Sequence, residues 1–172
     1  MMYDQAIALI EKLDIRCVVF DIDGVMTDGS IVVDADGREL FKTFNVKDGL
    51  GVQMLAKAGF ELGIITGRSS TIVAARAQTL GIQHVYQGKL DKTAAFEDLL
   101  NKLGITEKQV AYIGDDMPDV PLLKRVGFSA CPADADNSAA SAAVWQSAFK
   151  GGRGAVREFA DLILNAREKS NA

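Results

Sequence analysis

Arg16-Cys17-Val18-Val19-Phe20-Asp21-Ile22-Asp23-Gly24-Val25-Met26-Thr27-Asp28 begins as a short apolar run and ends in a turn carrying three carboxylates. An apolar, β-branched run that stops at Asp-Ile-Asp-Gly predicts a strand buried on both faces, with its acidic residues just beyond its carboxyl end. The pattern recurs downstream. Residues 61–66, 84–87, 110–114 and 127–131 are further strand-like runs, separated by helical patterns at 49–58, 70–80, 91–103 and 118–126, with a last helix over 155–169. Strands that alternate with helices of this length imply right-handed crossovers and an α/β fold with a mostly parallel sheet.

The chain has 172 residues, enough for one domain over 1–172 that buries roughly two-thirds of its surface. Hydrophobic residues make up 48% and charged residues 24%, which excludes a disordered or fibrous chain. Nineteen Lys and Arg against 23 Asp and Glu give a formal charge of −4, so neither nucleic acid nor an acidic membrane surface is expected as a partner. No apolar run approaches the roughly 18 residues of a membrane span. Residues 1–14 read as an amphipathic helix rather than a secretory signal, because Asp4, Glu11 and Lys12 interrupt the apolar stripe. Cys17 and Cys131, far apart in apolar segments, read as buried thiols of a reducing compartment. The expectation is a soluble, cytoplasmic protein.

Ligands of open α/β sheets bind beyond the carboxyl ends of the strands. Four such ends here carry groups suited to phosphate chemistry. Asp21 and Asp23 follow the first strand, and Thr66-Gly67-Arg68 follows the second. Asp91-Lys92 opens the helix after the third, and Gly114-Asp115-Asp116 follows the fourth with Asp119 one turn on. Carboxylates converging on one crest cannot all ionise without a counter-charge. Hard oxygen donors of this kind suit Mg2+, Lys92 adds a positive charge, and the Thr66 hydroxyl with nearby N–H groups can hold phosphate oxygens. A calcium loop opening at Asp21 fails, because Val25 stands where a fifth-position ligand belongs. Each piece alone has a plain structural explanation: a strand-to-helix turn at Thr66-Gly67-Arg68, a solvated first-turn lysine at 92, an acidic helix start at 115–119. Their order and shared placement argue for one site.

Val18 through Asp28 resembles the first motif of the haloacid dehalogenase superfamily. Thr66, Lys92 and Gly114-Asp115-Asp116-Met117-Pro118-Asp119 fall where its second, third and fourth motifs belong, and the resemblance covers about residues 16–131. It implies a Rossmann-like three-layer fold with Asp21 as the nucleophile of an aspartyl-phosphate intermediate and Asp23 as the general acid/base. Mg2+ would be held by Asp21, the Asp23 backbone carbonyl and Asp115. Thr66 and Lys92 would hold the phosphoryl oxygens, while Asp116 and Asp119 would orient water around the metal. A receiver domain carries similar residues in another order, its acidic pair leading, whereas here the pair follows Lys92.

The interval from Asp23 to Thr66 holds only a hairpin and one helix, and that from Thr66 to Asp115 only strand–helix repeats, so the fold is expected to be capless. The projecting β-hairpin, about 30–44, is read from runs at 31–33 and 39–44 around Asp34-Ala35-Asp36-Gly37. An uncapped site stands open to water unless a second subunit covers it. The hairpin offers a free sheet edge, and Gly151-Gly152-Arg153-Gly154-Ala155-Val156-Arg157-Glu158 opens a glycine-rich, cationic arm and helix over about 150–169. These stretches, together with Phe44-Asn45-Val46-Lys47-Asp48-Gly49, resemble the capless sugar-acid phosphatases of the superfamily. That resemblance implies a homotetramer, with the hairpins in a central barrel and each arm reaching a neighbour's site. It also implies release of phosphate from an eight-carbon 3-deoxy-2-keto sugar acid, a step toward lipopolysaccharide. Lys47, Asp48, Gly49, Gly67, Arg68 and Arg153 would then contact substrate. A nine-carbon sugar-acid 9-phosphate of the sialic-acid type is the alternative substrate, and a non-catalytic tetramerisation module the alternative without chemistry. His84 reads as structural, Trp145, Phe149 and Phe159 as packing for the C-terminal segments, and 133–143 as a short helix.

Overall fold

A computed structural model describes residues 1–170; Asn171 and Ala172, which the one-domain expectation includes, lie outside the described residues. In chain order, α1 (Tyr3–Ile10) leads to β1 (Cys17–Phe20), the hairpin strands β2 (Val32–Val33) and β3 (Glu39–Phe41), α2 (Val46–Lys57) and β4 (Glu61–Ile65). There follow α3 (Thr71–Leu80), β5 (His84–Tyr86), α4 (Lys92–Leu103), β6 (Val110–Ile113), α5 (Val120–Leu123) and β7 (Phe128–Cys131). The chain closes with α6 (Asn137–Ala142), β8 (Trp145–Gln146) and α7 (Ala155–Ser170).

The main sheet runs β5-β4-β1-β6-β7-β8, and every neighbouring pair in it is parallel. β1 is central, and the chain departs from it first toward β4 and β5, then toward β6, β7 and β8. This is the doubly wound order whose switch point opens a crevice at the carboxyl end of the first strand. Alternation along β1 explains the layers. Val18 and Phe20 enter a core with α1, α2, α3 and α7, while Cys17 and Val19 enter a second core with α4, α5 and α6. Phe159 of α7 packs edge-on to Phe20 and stacks on Phe128, which clamps that helix over three strands. Both cysteines are free and buried, and burial pushes the Cys17 thiol up to about 12 and the Cys131 thiol up to about 11.

Three local features depart from expectation. The helix expected from 49 starts at Val46, because the Asn45 side chain accepts from the N–H groups of Lys47 and Asp48 and caps it. β3 stops at Phe41 rather than 44, which frees Lys42 to turn inward. β8 extends the sheet by pairing Trp145 with Ala130, a two-residue strand too short to show a period.

The start of the arm is anchored within its own chain, residues 151–154 being seated on the loop after β1. Gly152 N–H donates to Val25 O at 2.8 Å, and Gly151 N–H donates to Asp134 Oδ1 at 2.9 Å. A Cβ at Gly151 would stand 1.8 Å from Gly24 O, so glycine serves close backbone approach here.

Candidate active site

Asp21 is the first residue past β1, and its N–H donates to Ile113 O at 3.0 Å, which carries the ladder one residue beyond the strand and fixes the carboxylate at the crest. Asp115 stands two residues past β6. One oxygen each from Asp21, Asp115 and Asp119 lie within 4.8 Å of one another. Lys92, the first residue of α4, is buried rather than solvated, with its Nζ 3.0 Å from Asp21 Oδ1 and 2.5 Å from Asp119 Oδ1.

Asp119 is fully engaged. Its Oδ1 accepts from Lys92 Nζ and from Tyr112 Oη, and its Oδ2 accepts from the N–H groups of Asp115 at 2.9 Å and Asp116 at 3.2 Å. It therefore pins the loop that presents Asp115. Two glycines make room for this. A Cβ at Gly114 would meet Asp119 Cγ at 2.4 Å. Gly24, at φ +86°, would drive a Cβ to 1.9 Å from Asp115 Oδ2.

The electrostatics are unbalanced: three carboxylates face one ammonium. Burial pushes the Asp21 carboxyl up to about 6, with Lys92 opposing and Asp119 adding to the rise. Burial, then the charges of Asp21 and Asp119, push Asp115 up to about 8. Burial pulls the Lys92 ammonium down, but Asp21 and Asp119 outweigh it and leave the group raised. Asp115 Oδ1 is buried with no hydrogen-bond partner, and Asp21 Oδ1 has only its ion pair with Lys92. Hard oxygens from two strand ends, unsatisfied and short of positive charge, fit a divalent cation such as Mg2+.

Asp23 belongs to a second group. Its Oδ1 lies 2.5 Å from Lys42 Nζ, and its Oδ2 lies 3.9 Å from Arg68 Nε. Glu39 joins the group through Lys42 and Arg68. Thr66 is buried at the end of β4, its N–H bonded to Tyr86 O and its carbonyl to Lys89 N–H. Gly67 approaches Leu90, and Lys47 is exposed on the first turn of α2. Arg153 pairs with Asp28 at 3.2 Å.

Three expected residues are engaged elsewhere. Asp48 is 1% exposed, and its carboxylate accepts from Gly154 N–H and Arg157 N–H, tying α2 to the start of α7. Gly49 is buried beside Arg76, where an added Cβ would lie 2.5 Å from a guanidinium nitrogen. Asp116 is exposed and caps the turn at Met117–Asp119. Lys42, Glu39 and Tyr112 escaped the sequence reading. The clues were slight: a lysine three residues after a glutamate in a hairpin strand, and a phenol inside a strand otherwise read as core.

The fold and this crest define a haloacid dehalogenase-like hydrolase. The model of that family matches residues 40–127, and the chain belongs to it. Among its relatives, a 3-deoxy-D-manno-octulosonate 8-phosphate phosphatase of Yersinia pestis is 47% identical over 156 residues, covering 91% of this chain and 83% of the relative. The enzyme of that name from Escherichia coli K12 is 46% identical, covering 91% of this chain and 82% of its own length. A crystal structure of the Moraxella catarrhalis phosphatase, described as a complex with magnesium ion, phosphate ion and KDO molecule, aligns with a TM-score of 0.90 and 39% identity, over 98% of this chain and 95% of that one.

Proposed function

We propose that this chain is a Mg2+-dependent phosphomonoesterase that hydrolyses 3-deoxy-D-manno-octulosonate 8-phosphate to the free sugar acid and phosphate, in lipopolysaccharide precursor synthesis. The observation that carries this reading is the buried, charge-deficient Asp21–Asp115–Asp119 cluster around Lys92, in a chain 47% identical to a phosphatase of that substrate.

Asp21, Asp115 and the Asp23 backbone carbonyl would hold the Mg2+, which supplies Lewis-acid stabilisation and offsets the repulsion between two anions. A carboxylate oxygen of Asp21 bonds to phosphorus while the ester P–O bond breaks, and Asp23 gives its proton to the departing sugar oxygen. Asp23 then takes a proton from water as the water oxygen bonds to phosphorus. The Asp21–phosphorus bond breaks, and inorganic phosphate leaves. Lys92, 3.0 Å from Asp21, favours the ionised nucleophile. The Thr66 hydroxyl and the N–H groups of the turn after it hold phosphoryl oxygens, where charge spreads in the transition state. Gly67, Arg68, Lys47 and Arg153 are the candidate contacts for the sugar acid. Asp119 acts by fixing Lys92 and the Asp115 loop.

Exposed Ile31, Val32, Val33, Leu40 and Phe41 make the hairpin an apolar projection and support assembly as a homotetramer. Two free, buried cysteines suit the cytoplasm. Among the described residues, no helix is long and apolar enough to cross a membrane.

Steady-state hydrolysis of eight- and nine-carbon keto-acid phosphates tests the reading. The expected result is a kcat/KM at least about tenfold higher for the eight-carbon ester, abolished by EDTA. Preference for the nine-carbon ester would replace the substrate. Failure to release phosphate from either would leave a non-catalytic tetramerisation module.

A further inference from the structure

The return strand of the hairpin turns one cation inward. Leu40 and Phe41 are exposed, yet the Lys42 side chain, next in sequence, is 1% exposed. Its ammonium is gripped by two carboxylates, 2.5 Å from Asp23 Oδ1 and 3.1 Å from Glu39 Oε2. Glu39 is anchored in turn. Ser70 Oγ, at the N-cap of α3, donates to Glu39 Oε1 at 2.8 Å, and an Arg68 guanidinium nitrogen lies 3.5 Å from its Oε2. Burial raises the Glu39 carboxyl, but the hydrogen bonds from Ser70 and Lys42 outweigh it and hold the group below its ordinary value.

Asp23 thus ends a continuous chain, Asp23–Lys42–Glu39–Ser70, that joins the loop after β1 to the hairpin and to the start of α3. The Lys42 ammonium is committed to the carboxylates of Asp23 and Glu39. It thereby holds one oxygen of the group that must be aimed at the leaving alcohol. General acid catalysis needs that group within about 3 Å of the oxygen it protonates, and a partly exposed aspartate has two side-chain torsions to fix.

Resting on the reading of Asp23 as the acid/base, we propose that Lys42 is a positioning residue for the phosphatase reaction: it grips Oδ1 of Asp23, anchored by Glu39, and leaves Oδ2, which Arg68 Nε faces from 3.9 Å, as the oxygen that carries the proton to the leaving group. The hairpin then has a task within its own subunit, apart from any assembly its apolar outer side chains support.

A role in aiming the acid differs from a role in folding by its dependence on the leaving group. The sugar alkoxide needs a proton as it departs. The p-nitrophenolate ion does not. Lys42→Met and Asp23→Asn should therefore each slow hydrolysis of 3-deoxy-D-manno-octulosonate 8-phosphate by about 30-fold or more, while single-turnover release of p-nitrophenol from p-nitrophenyl phosphate stays within about threefold of wild type. Lys42→Arg should recover part of the loss. Should Lys42→Met fail to fold, Glu39→Gln, which loosens the same lysine from its far side, carries the test with a smaller effect of the same pattern.

The outcomes separate cleanly. If Asp23→Asn slows both substrates equally, the acid/base reading itself is wrong. If Asp23→Asn shows the leaving-group pattern but folded Lys42→Met or Glu39→Gln slows both substrates equally, or neither, the reading of Asp23 stands and the positioning role of Lys42 is overturned.

Discussion

Two charged groups share the crest of this sheet, two residues apart in the chain, and they close their charges in opposite ways. Around Asp21, three carboxylates meet one lysine, with two carboxylate oxygens buried and short of partners. Around Asp23, two carboxylates meet Lys42 and Arg68, and each charge has an opposite within 4 Å. The second group is complete as the chain supplies it. The first is not, and its deficit of positive charge is what suits it to a divalent cation. Neighbouring aspartates on one loop thus receive different chemistry from different surroundings.

The contrast breaks most sharply at Asp21. Asp21→Asn should lower phosphate release by at least about a thousandfold while far-UV circular dichroism keeps the wild-type fold, because the amide keeps the shape and removes the proposed nucleophile. Residual turnover near wild type would put the nucleophile elsewhere.

Gly24→Ala comes next, with about a hundredfold loss of activity and weaker Mg2+ binding by calorimetry, because its Cβ would collide with Asp115 Oδ2. Gly29 has a similar positive φ but no neighbouring atom nearer than 3.7 Å to an added Cβ. Gly29→Ala therefore reports backbone strain alone, and equal Mg2+ affinities in the two variants would show that the collision with Asp115 is immaterial.

The charge deficit also predicts how stability changes with pH. The folded-state values near 6 for Asp21 and 8 for Asp115 lie above the ordinary carboxylate value of 3.8, so the folded protein binds more protons than the unfolded chain across that interval. Stability of the metal-free protein should fall as pH rises from about 4 to 8, by roughly 5 °C or more in Tm between pH 5 and pH 8. Saturating Mg2+ should flatten the slope. Melting curves in EDTA that are level over this range would contradict the deficit.

Tyr112→Phe is the mildest. It removes the hydrogen bond to Asp119 and the longer one, 3.4 Å, that the phenol accepts from Lys92 Nζ, and should cost about 1 kcal/mol in denaturant unfolding, with turnover lowered less than about fivefold. A much larger loss of turnover would give the phenol a role beyond holding Asp119.

Much of this could be read in the linear chain. Asp21, Asp23, Thr66 and the 115–119 stretch follow the ends of apolar runs and Lys92 opens the helix after another, and a parallel sheet gathers the carboxyl ends of its strands on one edge. Lys92 could be located but not its surroundings: a first-turn lysine is ordinarily solvated, and only the meeting of α4 with β1 and the 115–119 loop buries it. Lys42 and Glu39 were out of reach for the same reason, since their partners Asp23 and Ser70 lie 19 and 31 residues away. At the arm, the chain alone did not show that its glycines permit two stretches of backbone to touch, because the second stretch, after β1, lies far away in sequence.

Local pattern by itself determined the alternation of strands and helices, the acidic turn after β1 and the carboxylates, threonine and lysine gathered with it, because hydrophobic period and turn chemistry act over a few residues. Tertiary structure alone decided which charges were matched and which left in deficit, because burial and ion pairing depend on distances set by the strand order β5-β4-β1-β6-β7-β8 and by where the hairpin and arm fold back.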